Sequence, residues 1–264
     1  MTEGRYAEGS VTVGVDGPLA TVSLTRPGSL NAQTPHTWAA LRDIGSSLDP
    51  AVRVVVVRGA GRAFSTGLDR RLLRGEGAAG GLSTLARIPA AEADSVMQGY
   101  QEAFGWLRAD HLVSIAAVQG HAVGAGFQLA LACDLRVLAD DAQLCMAETT
   151  LGLVPDLGGT KPLVSLVGPA RALEICLTGR RVGAAEALRI GLATLVVPTA
   201  DLDEAVADLV AALLSPPAAA LGETKALIYA AASRSSVEQE TAERTAQLRR
   251  IRDLTGASAG DMEA

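Results

Sequence analysis

Aromatic side chains make up only 3% of the 264 residues, so the interior of this protein cannot rest on packed rings. It must come from closely fitted Ala, Val and Leu in a chain that is 48% hydrophobic, a composition suited to layered α/β packing. Three cysteines, Cys133, Cys145 and Cys176, are an odd number without zinc-ligand spacing. They exclude a disulfide framework and read as reduced core thiols, and no metal site is expected. No apolar run approaches the ~20 residues of a membrane-spanning helix, so no membrane partner is expected. An excess of positive charge is missing too: 23 Lys and Arg stand against 29 Asp and Glu. That balance argues against a nucleic-acid partner, which needs clustered cations to displace counterions. The opening MTEGRYAEGS has neither a basic start nor an apolar stretch, so no secretory leader is expected and the cytoplasm is the anticipated location. No linker breaks the chain, which is long enough to bury one substantial core.

What is present reads as alternating strands and helices. Val11, Val13 and Val15, the turn Asp16-Gly17, and Ala20, Val22 and Leu24 predict a β-hairpin. Thr34-Pro35 is a helix start, and Trp38, Leu41, Ile44 and Leu48 follow at helical spacing, predicting a helix over 35–48. Val52–Val57 is β-branched at every position but Arg53, as in a strand covered on both faces. Arg70 to Ala93 carries no sustained period and includes GEGAAGG, which predicts a mobile loop that orders on ligand binding. Helical spacing returns from Asp94 to Leu107, and Val113–Val118 reads as a second buried strand. A short apolar helix over Gly126–Ala132 follows, then strand-like segments at Asp134–Ala139 and Gln143–Ala147. Beyond Gly158 the chain reads as almost entirely helical, punctuated by Gly168-Pro169, Gly179, Gly191 and Ser215-Pro216-Pro217. Ser235–Leu254 resembles an interaction helix, and the last ten residues read as frayed.

Two glycine turns that follow buried strands, AFSTGLD at 63–69 and VGAGF at 123–127, can each present backbone N–H groups to an anion. The order AFSTGLD, QGHAVGAGFQLALACDLRV, MAETTLGLVPDLGGT resembles the crotonase superfamily, the enoyl-CoA hydratase/isomerase family. The segment RPGSLNA at 26–32 and the block LVGPARALEICLTGRRVGAAEALRIGLATLVVP extend the likeness over most of the chain. The resemblance implies an α/β fold, a crotonase-type spiral of repeated ββα units over 1–200, with a C-terminal helical trimerisation region over 201–264. It implies a homotrimer or a dimer of trimers. The substrate it implies is an acyl-CoA thioester, with no separate cofactor.

By that resemblance the backbone N–H groups of Leu68 and Ala125 form an oxyanion hole that grips the thioester oxygen. Thr66, Gly67, Leu68 and Asp69 would line the pantetheine path, with Arg70 and Arg71 reaching the phosphates and Gly124 and Gln128 contacting the substrate. Hydratases of the family use two glutamates. The second matches Glu148, but the first falls on Gln128, and an amide cannot serve as a general base near neutral pH. Asp156 sits where isomerising members carry a functional aspartate. Glu148 and Asp156 would then move a proton along the acyl chain, which favours double-bond isomerisation. Hydration by one glutamate, and acyl-CoA binding with weak turnover, are the alternatives. On plainer readings Asp156 only caps the next helix, Gln128 is a buried backbone-bonded amide, and Cys133-Asp134 serves packing and capping. His121 has no Ser or Cys partner motif, and GAGFQL lacks the third glycine of a dinucleotide fingerprint.

Overall fold

The computed structural model describes residues 2–6, 10–73 and 82–256. The chain begins with three antiparallel strands, β1 (Thr2–Tyr6), β2 (Val11–Asp16) and β3 (Leu19–Leu24). Helix α1 (Pro35–Ser47) opens on a capping box in which Thr34 and Thr37 exchange side-chain-to-backbone hydrogen bonds, with Pro35 pre-set at the first helical position. Strand β4 (Val54–Gly59) pairs parallel to β3. Two helical turns, α2 (Arg70–Leu73) and α3 (Leu82–Leu85), and helix α4 (Ala90–Gly105) lead to β5 (Val113–Val118), parallel to β4. Next come β6 (His121–Val123), α5 (Ala125–Ala132), β7 (Leu135–Ala139) and β8 (Gln143–Cys145). Helices α6 (Thr160–Val167) and α7 (Pro169–Thr178) precede β9 (Arg181–Gly183), α8 (Ala184–Arg189) and β10 (Leu195–Val197). The chain closes with α9 (Leu202–Leu214), α10 (Ala218–Ala231) and α11 (Ser236–Thr255).

A seven-stranded sheet in the order β1-β2-β3-β4-β5-β7-β10 lies beside a three-stranded sheet in the order β6-β8-β9. The valine run of β4 shows why no alternation marks the central strands. Val55 and Val57 enter the main core with α1 and α5, while Val54 and Val56 enter a second core against Leu202, Val206 and Val210 of α9. Helix α9 covers the second face of the sheet, so this second core joins residues on both sides of position 200.

Several expectations change. Beyond Gly158 the chain also supplies β9 and β10, each too short to show a period, and β10 completes the edge of the large sheet. Arg70 to Ala93 is not a continuous loop, since α2, α3 and the first turn of α4 fall within it. The GEGAAGG segment and the last eight residues lie outside the described residues. No single described helix is long and apolar enough to cross a membrane.

Asp134 does more than pack and cap. Lys225 of α10 donates from Nζ to Asp134 Oδ2 at 2.8 Å and to the Ala109 and Leu112 carbonyls, while Tyr229 donates to Asp134 Oδ1 at 2.6 Å. Both charges are buried, so removing one strands the other. Lys225→Met is expected to lose about 3 kcal/mol of stability in urea unfolding. A loss under about 1 kcal/mol would contradict this account of the tether.

Candidate active site

The AFSTGLD turn is held from two sides. Ser65 exchanges backbone hydrogen bonds with β6, its N–H donating to the His121 carbonyl and its own carbonyl accepting from the Val123 N–H. On the other side the Gln33 N–H donates to the Gly67 carbonyl at 2.7 Å, and the Asp69 N–H donates to the Gln33 carbonyl at 2.8 Å. With both neighbours turned toward Gln33, the Leu68 N–H faces away and meets no acceptor among the described residues. The RPGSLNA segment supports this turn: Asn31 donates to the Ala60 and Ala63 carbonyls, and Ser65 Oγ donates to the Asn31 carbonyl.

Ala125 is the first residue of α5, so its N–H has no intrahelical acceptor, and no other acceptor lies among the described residues. Gly67 has φ +76°, and a methyl group there would lie 2.3 Å from the Val123 carbonyl oxygen and 3.0 Å from the Ala125 nitrogen. The two turns therefore touch backbone to backbone. At the far end of α5 the guanidinium groups of Arg108 and Arg136 donate to the carbonyls of Leu131, Ala132 and Cys133. Cations there complement the negative end of the helix and leave its positive end at the turn.

Leu68 and Ala125 line one cavity of about 310 Å³, together with Thr66, Arg70, Gly124, Glu148 and Asp156. Its apolar wall comes from Trp38 of α1, Leu85 of α3, Met97 and Tyr100 of α4, and the segment after Glu148. The rings of Trp38 and Tyr100 stand 4.6 Å apart, and Trp38 Nε1 donates to Gln33 Oε1. Glu148 opens a 3₁₀ turn after β8 and is 8% exposed. Its Oε1 accepts from Gln128 Nε2 at 2.7 Å, while its buried Oε2 has no partner among the described residues. Burial pushes the Glu148 carboxyl above its ordinary range, and Asp156 nearby pushes the same way. Asp156 is also raised by burial, against a smaller lowering by its own backbone N–H. It does not cap α6, whose N-cap is Gly159 with no side-chain hydrogen bond.

Of the other residues singled out from sequence, Gly67, Asp69, Arg71 and Gln128 do not line the cavity. Gly67 is spent on the contact between the turns. Asp69 is buried and held by Arg26 at 3.2 Å and Arg71 at 2.8 Å, which keep its carboxyl well below the usual carboxylate range. Arg71 grips that carboxylate through Nε and a terminal nitrogen, whereas Arg70 reaches the cavity. Gln128 is 1% exposed, with its amide committed inside the protein. His121 lies outside the cavity with its ring Nδ1 3.2 Å from Arg181. Burial pushes the Cys133 thiol up to about 12, so it is inert, and the described residues contain no cluster of metal-ligating side chains. Trp38 carried a sequence signal only as a core residue at helical spacing. Met97 and Tyr100 lie on a helix whose periodicity does not say what it faces.

The sequence profile of the enoyl-CoA hydratase/isomerase family matches residues 15–254, and the chain belongs to this family. A solved structure from Thermobifida fusca, described as a candidate enoyl-CoA hydratase in complex with acetoacetyl-CoA, is 50% identical. It superposes with a TM-score of 0.89 over 92% of this chain and 95% of that one. The carnitinyl-CoA dehydratase of Escherichia coli K12 is 35% identical over 231 residues, 85% of this chain and 81% of that protein. The chain shares the crotonase fold with the Thermobifida fusca structure, a mixed α/β architecture whose larger sheet is parallel from β3 to β10.

Proposed function

We propose that the protein binds an acyl-CoA thioester and shifts a carbon–carbon double bond along its acyl chain. The observation that carries this is the pair of burial-raised carboxyl groups, Glu148 and Asp156, on one cavity with the unpaired Leu68 and Ala125 amides. The two amides would hold the thioester oxygen, stabilising the negative charge that develops when an α-proton leaves. Glu148 Oε2 takes that proton from C2, and the electrons move into the dienolate. Protonated Asp156 then delivers its proton to C4, and solvent exchange returns one proton to Asp156 and removes one from Glu148. Arg70 at the cavity would meet phosphate groups of coenzyme A.

Glu148 must start ionised and Asp156 protonated, so the rate should fall on both sides of a bell-shaped pH profile. Oligomerisation belongs to the same reading. Ile228 of α10 and Val237 and Leu254 of α11 are exposed in the single chain, which suits a homotrimer or a pair of trimers.

A second reading, addition or removal of water by Glu148 alone, draws support from the hydratase and dehydratase names of the two relatives above. Mass spectrometry of a 3-enoyl-CoA in heavy water separates them: isomerisation adds deuterium without a gain of water. Rapid hydration of a 2-enoyl-CoA with no double-bond shift would overturn the isomerase reading. Binding without turnover of any thioester would leave only a carrier. Asp156→Asn should slow isomerisation about 10²-fold, yet preserve α-proton exchange of a saturated acyl-CoA, which needs Glu148 alone. Equal loss of both would contradict the division of roles.

A further inference from the structure

We propose that Gln128 is a positioning residue that leaves Oε2 as the one free oxygen of Glu148 and ties the turn carrying Asp156 to the same frame. Its amide has no freedom to turn over. Oε1 accepts from the Leu157 N–H at 2.9 Å and the Gly159 N–H at 3.2 Å, so Nε2 must point to Glu148, where it donates to Oε1 at 2.7 Å. A reversed amide would set donors against two N–H groups and an acceptor against a carboxylate. Gly159 permits the approach, since a methyl group there would lie 2.7 Å from Gln128 Cγ. Asp156 precedes this pinned turn, and its backbone carbonyl accepts from Gln101 of α4.

One fully buried amide therefore orients the carboxyl group at 148 and locates the one at 156. Its hydrogen bond favours ionised Glu148, because a carboxylate oxygen accepts while the amide can only donate there. Among the described residues, the titratable and charged groups around Glu148 are Asp156 on the turn, Arg70 of α2 across the same cavity, Cys145 at the end of β8, Cys176 on α7, and Arg181 of β9 next to Cys145. Asp156 opposes ionisation of Glu148, and the Cys145 thiol already donates to the Gly179 carbonyl.

The orientation stands on geometry alone, while its catalytic meaning rests on the function proposed above. The experiment keeps the two apart. Titration of Glu148 is followed by carbon-13 NMR of the intact, substrate-free protein, assigned by difference against Glu148→Gln. The pH dependence of α-proton exchange in butyryl-CoA is measured alongside. Gln128→Met should raise the midpoint of Glu148 by about 1 unit. Gln128→Glu keeps an acceptor for the Leu157 and Gly159 amides, so it serves where the Met variant folds poorly. It sets two carboxyl groups against each other and should raise the midpoint of the pair by about 2 units. The acid limb of exchange should move upward with each midpoint. Titration curves that coincide with the unsubstituted protein would overturn the positioning role. Absence of exchange in the unsubstituted protein would instead count against the functional reading, leaving the NMR result to decide the orientation.

Discussion

Glu148→Gln is expected to lower turnover by about 10²- to 10⁴-fold, the range for removing a positioned acid/base group, while raising the melting temperature at neutral pH. The amide keeps an acceptor for Gln128 Nε2, so the support beneath the site survives, but it cannot take a proton. The stability gain follows from the direction of the shift. Burial raises the folded-state pKa of Glu148 above its unfolded value near 4.5, so its ionised form is disfavoured in the folded protein at pH 7. The favourable contribution of this group is present below the unfolded value and is lost as pH rises through the folded one. The variant should therefore be the more stable protein at pH 7, with the advantage shrinking as pH falls toward the unfolded value. Calorimetry at several pH values, paired with kinetics, checks both halves. Unchanged turnover would remove Glu148 from the chemistry, and a lower melting temperature at pH 7 would refute the burial argument.

Gly67→Ala should be nearly as damaging by a different route. The new methyl group would lie 2.3 Å from the Val123 carbonyl oxygen and 3.0 Å from the Ala125 nitrogen, at a φ of +76°. Neither obstacle is the end of a flexible side chain, so the two turns must separate. If the Leu68 and Ala125 amides grip one oxygen, losing either hydrogen bond costs about 10²- to 10³-fold in turnover. Overpacking and the unfavourable φ together should remove about 2 to 4 kcal/mol of stability. Gly17→Ala makes the comparison. Gly17 also has positive φ but meets nothing within 4 Å of the added methyl and lies in the first hairpin. It should cost about 1 to 2 kcal/mol and no activity. Similar kinetics for both variants would show that separating the turns does not matter to the reaction.

The parts of the fold that could be read from sequence were those with strong local punctuation. Thr34-Pro35 marks α1 because a capping hydroxyl and a fixed φ are local effects, and Asp16-Gly17 marks the hairpin for the same reason. The three-residue strands β6, β9 and β10 could not be read so, because their pairing is decided by distant partners and not by their own pattern. In the site, Glu148, Asp156, Leu68 and Ala125 were placed by family likeness, and the structure brings all four to one cavity. The work of Gln128 was hidden, since its acceptor side is satisfied by amides about thirty positions away. Asp69 misled in the opposite sense: it sits within the site turn, yet two arginines hold it as part of the scaffold.

Helix α4 leans on α1, and only Ala103 and Phe104 of its sixteen residues are buried. Met97 and Tyr100 thus form a cavity wall from a half-buried position on the periphery of the molecule. Exchanging bulk at these two sites should reshape the room for the substrate tail at little thermal cost, far less than a methyl group at the junction of the turns. Appetite for new acyl chains is then open to change on one outer helix, while the reacting centre stays anchored in the interior.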